Sequence, residues 1–299
     1  MSGSARVGLV GCGSWGRNIL RDLLSLGCSV SAVARSPESR ARAEDADTTV
    51  ASVSKLPDVD GIVIATPTTT HAAVIDEALE RGVPVFVEKP LTNDLIAADQ
   101  LAATAGERLF VMDKWRYHPG VELLRDLAHD GSLGAVRGLL TTRVGWGNPH
   151  DDVDAAWVLA PHDLSIALEI LGELPRARAA VADLSGDEVQ GLVGLLGERP
   201  WHRLEVSVRS PERRREVQLV CEDGVALLAN GYSEHVLLHR DDADEPERRE
   251  IATELPLRRE LRAFVEHLQG GPPPRSSAAE GALVVRRIAE LRALAGAPA

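Results

Sequence analysis

The chain has 299 residues, of which 44% are hydrophobic and 26% charged, and its formal net charge at pH 7 is −12. This length supports two domains with a hydrophobic core each, and the net negative charge disfavours binding to nucleic-acid phosphates. Because no apolar run approaches the roughly 20 residues that cross a bilayer and the N-terminus lacks the pattern of a secretory signal, we expect a cytoplasmic protein without membrane or nucleic-acid partners.

The first part of the chain, residues 6–112, alternates short apolar runs with amphipathic segments. This alternation is typical of β-α units that build a parallel sheet. Strands are predicted over residues 7–10, 30–34, 61–65, 83–87 and 109–112. Helices are predicted over residues 16–26, 71–81 and 93–105, with Thr70 and Thr92 as N-caps. We therefore predict a doubly wound α/β domain.

A glycine motif, Gly-Cys-Gly-Ser-Trp-Gly at residues 11–16, directly follows the first predicted strand and opens the first predicted helix. In this context the first glycine allows a tight turn, the second lets the backbone approach a pyrophosphate, and the third lets helix and strand pack closely. The helix N-terminus also favours an anion. The motif predicts a Rossmann domain whose cofactor-binding residues here are Gly11, Gly13, Ser14, Trp15 and Gly16.

The end of the second predicted strand indicates which dinucleotide is bound. An acidic residue that would hold a ribose 2′-hydroxyl is missing there, and the chain has Arg35 and Ser36 instead. A guanidinium and a hydroxyl are suited to a 2′-phosphate, so NADP(H) is favoured over NAD(H). In the alternative interpretation Arg35 stacks on the adenine and either cofactor is accepted.

The second part of the chain has a different pattern. A helix is predicted over residues 121–128, and longer alternating stretches predict strands at 136–146, 202–208, 216–221, 226–228 and 236–239. Helices at 162–171 and 257–269 are expected to cover one face of this largely antiparallel sheet, and a helix at 278–294 ends the chain. We predict a Rossmann domain over residues 1–118 and an α+β domain over 119–299. Because an uncovered sheet face usually marks an interface, we expect a homodimer or homotetramer.

Lysine is scarce, since only Lys55, Lys89 and Lys114 occur among the 33 basic residues. Keeping a lysine at position 89, beside a Glu-Lys-Pro turn, suggests that a titratable ammonium is needed there, because arginine cannot replace it in proton transfer. The richest basic stretch, residues 213–215, is interpreted as a solvated strand or turn edge.

The cysteines give no indication of a metal site or a disulfide framework. Cys12, Cys28 and Cys221 are scattered, without a Cys-x-x-Cys or Cys/His ligand spacing. We expect reduced thiols and no bound metal.

Two further motifs are Ile-Val-Ile-Ala-Thr-Pro-Thr-Thr-Thr-His at residues 62–71 and Val-Phe-Val-Glu-Lys-Pro-Leu at residues 85–91. Together with residues 11–23, 117–119 and 157–172, they resemble the glucose-fructose oxidoreductase, inositol dehydrogenase and rhizopine catabolism family, Gfo/Idh/MocA. The resemblance covers most of residues 5–172. It implies an NAD(P)-dependent oxidoreductase of the sugar-modifying branch.

The resemblance implies roles for four residues on the cofactor side. Thr66 and Pro67 are expected to end a strand beneath the nicotinamide, and His71 to begin the next helix. Glu88 is expected at the cleft. We therefore include Thr66, Pro67, His71 and Glu88 among the cofactor-binding residues.

The same resemblance implies two catalytic residues, Lys89 and His162. An ammonium at Lys89 can stabilise an alkoxide and pass a proton as hydride moves, while Pro90 is expected to rigidify the turn. His162 is expected to hydrogen-bond the reacting hydroxyl or to share its proton, and Asp163 is a further candidate or simply a residue favoured by the helix dipole. This chain departs from the family pattern at Val158, where an aspartate is frequent, so the acid/base role is expected to rest on Lys89 and His162 alone or on a different residue.

Substrate contacts are predicted from polar and aromatic residues of the later motifs. Asp113 stands where many relatives have histidine, beside Lys114, and Trp146, Asn148, His150 and Trp157 could contact a sugar ring. The residues predicted to bind the substrate are Lys89, Lys114, Arg116, Tyr117, Trp146, Trp157, His162 and Asp163.

These features lead to one main hypothesis and three alternatives. The main hypothesis is an NADPH-dependent ketoreductase that transfers hydride to a keto-sugar, nucleotide-linked sugars included. The alternatives among enzymes are an NAD(P)-dependent sugar or polyol dehydrogenase and an imine reductase. Outside enzymes, the chain would be a dinucleotide-binding sensor that has lost turnover.

Overall fold

The structure is a computed structural model, and it describes residues 4–297. Two compact units are present: the described part of Met1–Lys114 with Leu255–Val285, and Trp115–Glu254 with the described part of Arg286–Ala299. Within residues 4–297, none of the helices has both the length and the apolar character needed to span a membrane.

The elements up to residue 112 alternate between strand and helix as predicted. In chain order they are β1 (Arg6–Val10), α1 (Gly16–Ser25), β2 (Ser29–Val33), α2 (Pro37–Arg42), β3 (Thr48–Val50), β4 (Gly61–Ile64), α3 (His71–Leu79), β5 (Val85–Glu88), α4 (Leu95–Thr104) and β6 (Leu109–Met112). The six strands form one parallel sheet in the order β3-β2-β1-β4-β5-β6. The doubly wound Rossmann topology is therefore confirmed, with α2 and β3 as additional elements.

The two predicted N-caps differ in outcome. Thr70 occupies the N-cap position of α3 as predicted, but its side chain makes no cap hydrogen bond, and its hydroxyl lies within hydrogen-bond distance of the Thr66 hydroxyl and the Pro67 carbonyl. The prediction of Thr92 for α4 is wrong. The cap of α4 is Asp94, whose carboxylate accepts from the backbone N–H groups of Ile96 and Ala97 at 2.8 and 3.0 Å. Asp94 lies closer to the helix start than Thr92 and offers a charged acceptor.

The later elements form the second sheet and four helices. They are α5 (Pro119–Asp130), β7 (Val136–Trp146), α6 (Ala155–Leu171), β8 (Ala177–Ser185), β9 (Glu188–Gly197), β10 (Trp201–Ser207), β11 (Arg209–Cys221), β12 (Gly224–Leu228), β13 (His235–Arg240), β14 (Glu247–Glu250), α7 (Pro256–Leu268) and α8 (Ala278–Leu294). The eight strands are ordered β14-β13-β12-β11-β7-β10-β9-β8. Every pairing is antiparallel except β10 with β7.

Helix α6 begins earlier than predicted. Asp154 caps it by accepting from the backbone N–H of Ala156 at 3.1 Å, so the helix begins at Ala155 rather than at residue 162. His162 consequently lies in the middle of the helix, directly after the internal Pro161.

Helix α7 belongs to the first unit, and the prediction that it covers the second sheet is wrong. The Phe264 ring stacks on the Phe86 ring of β5, with 4.9 Å between centroids. Leu257, Leu261 and Val265 lie in the same hydrophobic core as strands β1 and β2. The apolar face of α7 therefore returns the chain to the first sheet, a division that differs from the predicted domains 1–118 and 119–299.

One face of β8 and β9 exposes apolar side chains. Val181 pairs with Val193 across these strands, and the two side chains are 67% and 39% exposed. Leu195, which pairs with Ala179, is also 39% exposed. These positions suit the predicted subunit interface, and the homodimer or homotetramer stays a prediction.

The packing of α7 predicts the effect of Phe264→Ala. Removing this buried ring should leave a cavity beside Phe86 and lower the free energy of unfolding by about 3–5 kcal/mol. Arg258→Ala, on the exposed side of the same helix, is the matched control and should change it by less than about 0.5 kcal/mol. Urea unfolding followed by circular dichroism measures both; a loss below about 1 kcal/mol for Phe264→Ala would contradict the packing.

Candidate functional site

The glycine turn after β1 is shaped by backbone crowding. Gly11 has a φ of +92°, and a Cβ placed on it would lie 2.6 Å from the Ala65 carbonyl oxygen. A Cβ on Gly16 would overlap the Gly11 carbonyl oxygen. Gly11 and Gly16 are therefore required for β1, α1 and the end of β4 to pack together.

Gly13 has a different role. A Cβ there would meet no atom within 4 Å, so the protein's own packing does not require a glycine. The open space lies beside the start of α1, where Trp15 provides no side-chain cap to the first N–H groups. A pyrophosphate would fit this cradle because it needs close approach to the backbone and the positive end of a helix dipole.

Of the two residues predicted to bind a 2′-phosphate after β2, one has an exposed side chain and the other caps a helix. Arg35 is exposed. The Ser36 hydroxyl accepts from the Ser39 backbone N–H at 3.1 Å, and the Ser39 hydroxyl accepts from the Ser36 N–H at 3.0 Å, which together cap α2. Glu38 lies in the first turn of this helix. The Ser36 hydroxyl is therefore engaged in capping, and Arg35 remains the side chain suited to a phosphate.

His71 connects the ends of two strands. Its ring is 1% exposed, with Nδ1 lying 2.9 Å from the Pro90 carbonyl oxygen and Nε2 lying 3.0 Å from the Thr66 carbonyl oxygen. The contacts of His71 are thus with the backbone beyond β4 and beyond β5. This arrangement makes His71 a residue that positions the Thr66-Pro67 and Lys89-Pro90 segments.

Glu88 and Lys89 end β5 beside the glycine turn. The indole Nε1 of Trp15 donates a hydrogen bond to Glu88 Oε1, and the Lys89 backbone N–H donates to Oε2 at 3.2 Å. The Lys89–Pro90 peptide bond is cis. The Lys114 ammonium lies 4.0 Å from the centroid of the Trp15 ring, a cation–π contact. The first unit thus places Glu88, Lys89 and Lys114 at the carboxyl ends of β5 and β6, and the Trp15 ring contacts Glu88 and Lys114.

Glu260 of α7 is a residue of this region that the sequence interpretation missed. Its side chain is fully buried, and among the described residues neither carboxyl oxygen has a hydrogen-bond partner. Burial, followed by the charges of Glu88 and Asp113, raises the pKa of Glu260 well above its ordinary value, while Lys114 opposes the shift. The signal was its position on the apolar face of α7, three residues after Leu257 and four before Phe264.

The predicted residues of α6 lie in the second unit. His162 is partly exposed, whereas Asp163 is fully buried. Asp163 Oδ2 accepts from Arg143 Nε at 2.7 Å, and the Arg143 guanidinium lies 4.4 Å from the centroid of the Trp115 ring. Asp163 therefore binds a protein side chain, which gives it a positioning role beside His162.

The other predicted substrate residues differ widely in exposure. Arg116 is buried and donates from Nε to Glu169 Oε2 at 2.9 Å, and Tyr117 is buried next to it. Trp157 is buried, with the Arg292 guanidinium 5.7 Å from its ring centroid. Trp146, by contrast, is 76% exposed at the end of β7. Trp146 is therefore the predicted aromatic with a face open to a ligand, and the substrate contacts stay predictions.

The structure also shows the contacts of Asn148 in the loop after β7 and the burial of Val158 in α6. Asn148 donates its amide to the Val153 carbonyl at 2.8 Å, and its side-chain oxygen accepts from the His150 N–H at 3.1 Å. Both contacts shape the loop itself. Val158, at the position where an aspartate was expected, is buried in α6.

Comparison with known proteins identifies similar chains. A model of an oxidoreductase family with an NAD-binding Rossmann fold matches residues 5–112. A curated relative, the UDP-N-acetylglucosamine 3-dehydrogenase of Acidithiobacillus ferrooxidans, is 37% identical over 124 residues, which are 40% of this chain and 38% of the relative. The sequence match thus spans well under two thirds of that relative's length.

Solved structures extend the likeness of fold to nearly the whole chain. The UDP-N-acetylglucosamine 3-dehydrogenase GnnA from Acidithiobacillus ferrooxidans superposes with a TM-score of 0.85 at 24% identity, covering 98% of both chains. A 3-ketoreductase from Actinomadura kijaniata, solved in complex with TDP-benzene and NADP, has a TM-score of 0.85 at 20% identity and covers 97% of this chain and 98% of its own. At these identities the comparison shows the shared two-domain fold.

The open space at Gly13 predicts the outcome of Gly13→Ala. The added methyl group should leave the free energy of unfolding within about 0.5 kcal/mol of the parent but weaken dinucleotide binding by about tenfold or more, because the pyrophosphate loses close approach. Gly16→Ala is the comparison variant and should lose stability as well, since its Cβ overlaps Gly11. Calorimetry with NADPH and thermal unfolding measure both effects; unchanged affinity in Gly13→Ala would rule out this cradle.

Glu260 predicts a pH-dependent stability. Because its pKa is raised in the native state, the native protein keeps a proton that the unfolded chain releases above about pH 4.5. The free energy of unfolding should therefore fall as pH rises from about 5 towards the native-state pKa, and Glu260→Gln should remove this component. Glu266→Gln, on the exposed side of α7, is the control. Parallel pH profiles of urea unfolding for Glu260→Gln and the parent would contradict the assignment.

Proposed function

Because its residues 5–112 belong to the oxidoreductase family with an NAD-binding Rossmann fold, Gfo/Idh/MocA, we propose that this protein is an NADPH-dependent ketoreductase acting on a keto-sugar. The observation that supports this most strongly is the position of Lys89. Lys89 follows β5 directly. Its backbone N–H donates a hydrogen bond to the Glu88 carboxylate, and the carbonyl of the next residue, Pro90, lies 2.9 Å from the buried His71 ring. The Lys89 backbone is thus fixed next to Glu88, whose carboxylate binds the Trp15 indole of the glycine turn, which supports an ammonium at the dinucleotide.

The chemistry assigned to the chain is proton transfer to a carbonyl oxygen. A bound nicotinamide dinucleotide supplies the hydride that reduces the carbonyl carbon. Lys89 donates a proton to the carbonyl oxygen, so that the product is a neutral alcohol and the lysine is reprotonated from solvent. Before transfer, the positive charge of Lys89 stabilises the negative charge that develops on that oxygen. His162 is the second acid/base candidate, supplied by α6 of the second unit.

The preference for NADPH rests on Arg35. Its exposed guanidinium follows β2, where a 2′-phosphate would require a cation. Ser36 is engaged in the helix cap. The A. kijaniata 3-ketoreductase of the same fold was solved with NADP. One exposed arginine supports a preference for NADPH that is moderate in size.

The substrate class is taken from the relatives. One relative is named for a UDP-linked amino sugar, and another structure of this fold holds a TDP compound. We extend this class to the present protein and assign a sugar that carries a nucleotide or another anionic group. The name of the first relative, a dehydrogenase, favours a second candidate, oxidation of a sugar hydroxyl, in which Lys89 accepts the proton instead of donating it.

Lys89→Met tests the proposal. In the parent, keto-sugars should consume NADPH, followed through the absorbance of the reduced nicotinamide, and the variant should lose about 100-fold or more in kcat because it lacks the proton donor. Lys55→Met removes an exposed lysine from the same unit and should react like the parent. NADH replaces NADPH in a parallel series to measure the cofactor preference.

Two outcomes would refute this assignment. Equal kcat in Lys89→Met and the parent would remove Lys89 from proton transfer. Tight NADPH binding without turnover of any keto-sugar, sugar or polyol in either direction would instead identify a dinucleotide-binding sensor.

A further inference from the structure

Strand β11 presents consecutive arginines to opposite faces of the second sheet. In the ladder Arg215 pairs with Arg143 of β7, and Arg214 pairs with Val144. Residues paired across a ladder share a face, and neighbours along a strand alternate. Arg213 lies on the same face as Arg215. A Cβ placed on Gly145 would lie 3.9 Å from Arg213 Cγ and 3.9 Å from an Arg215 Nη atom, so both side chains border the same position. Arg143, Arg213 and Arg215, named here the arginine cluster, therefore share one face.

Positive charge is in excess within the arginine cluster. The carboxylate that pairs with it, Asp163, is bound to Arg143 Nε at 2.7 Å, and both side chains are buried. The hydrogen-bond acceptors of Arg215 are the uncharged backbone carbonyls of Val144 and Arg214. One buried carboxylate thus stands against three guanidinium groups.

This excess has an electrostatic cost for Arg215. Burial, then the charges of Arg143 and Arg213, lowers the pKa of Arg215 to about 10, while Asp163 and the Tyr232 phenol oppose the shift. A charge that is half removed from water and repelled by its neighbours is stabilised by an arriving anion. An oxyanion would also use the guanidinium N–H groups that point away from the carbonyls.

The surroundings of the arginine cluster suit a ligand of moderate size. Gly145 has no side chain to fill the space beside Arg213 and Arg215. A Cβ there would be in ordinary van der Waals contact with both arginines. Trp115 stacks against Arg143 and orients its guanidinium. Tyr232, whose charge acts on Arg215, is 79% exposed and offers an aromatic face.

The position of the cluster relates it to the proposed reaction. Arg143 is bound to Asp163, and Asp163 is the neighbour of His162 in α6. An anion held by the cluster is therefore placed on the part of the second unit that carries the acid/base candidate.

We propose that Arg143, Arg213 and Arg215 form a subsite for an oxyanion carried by the substrate, either the phosphate of a nucleotide-linked sugar or the carboxylate of a uronic acid. This inference rests on the proposed function and deepens it by naming the charged group that the substrate bears. Arg213 and Arg215 contact the oxyanion, whereas Arg143 supplies charge and is positioned by Asp163 and Trp115.

Alternating arginines provide a matched test. The parent is titrated without cofactor with inorganic pyrophosphate, glucuronate and, as a neutral reference, glucose, using calorimetry at low salt. Arg213→Gln and Arg215→Gln should each weaken binding of the preferred anion by about tenfold or more. Arg214→Gln removes the same charge from the opposite face of the same strand and should bind within about twofold of the parent. Because Arg213 is exposed, its variant tests the subsite even if Arg215→Gln does not fold.

The results distinguish a nucleotide phosphate from a uronic acid carboxylate, and they test the anion subsite separately from the ketoreductase activity. Tighter binding of pyrophosphate supports a nucleotide-linked substrate, and tighter binding of glucuronate supports a uronic acid. Absence of anion binding in the parent, or equal losses in Arg213→Gln and Arg214→Gln, would overturn the subsite. Anion binding that depends on Arg213 but without hydride transfer would refute the ketoreductase and leave the subsite intact. Turnover of an anionic keto-sugar that Arg213→Gln leaves unaffected would refute the subsite alone.

Discussion

Backbone crowding where β1, α1 and the end of β4 meet is the constraint on which the first unit depends. No side chain fits at Gly11, because its Cβ would lie 2.6 Å from the Ala65 carbonyl oxygen. The next residue after Ala65, Thr66, offers its carbonyl to His71, and the other nitrogen of that ring lies 2.9 Å from the Pro90 carbonyl. The His71 ring thereby fixes the segment after β4, against which Gly11 packs, relative to the turn that contains Lys89. A rigid spacing of this kind is what proton transfer to a bound substrate requires.

Two carboxyl groups near this turn differ in their hydrogen-bond donors. Glu88 accepts hydrogen bonds from the Trp15 indole and the Lys89 backbone N–H. Glu260 is fully buried and lacks such donors among the described residues, so burial raises its pKa and favours its neutral form. Lys114, which opposes the shift of Glu260, also lies over the Trp15 ring. The charges of Glu88 and Lys114 thus act in opposite directions on the pKa of Glu260.

Local pattern predicted the parts of the fold that depend on local physics. Five of the six strands of the first sheet, the glycine turn and the helix Ala278–Leu294 follow from hydrophobic periodicity and turn chemistry. Strands β8 and β9 were missed because exposed residues dominate β8 on both faces, which hides its period. The partner of an amphipathic helix is set by the whole fold, so α7 was assigned to the wrong sheet. Likewise, the engagement of Ser36 in a cap and the isolation of Glu260 depend on neighbours that the pattern does not specify.

The choice between lysine and arginine separates two kinds of chemistry in the chain. Of its three lysines, Lys89 and Lys114 lie at the carboxyl ends of neighbouring strands of the first sheet, whereas in the second unit Asp163 of α6 is bound by Arg143, which pairs with Arg215. An ammonium can release and regain a proton when burial lowers its pKa, but a guanidinium keeps its charge and presents a planar set of donors. In the proposed reaction Lys89 and His162 are therefore the titratable groups, and the arginine cluster recognises the anion. Lys89 meets the need for a group that can release and regain a proton, which the many arginines of this chain cannot meet.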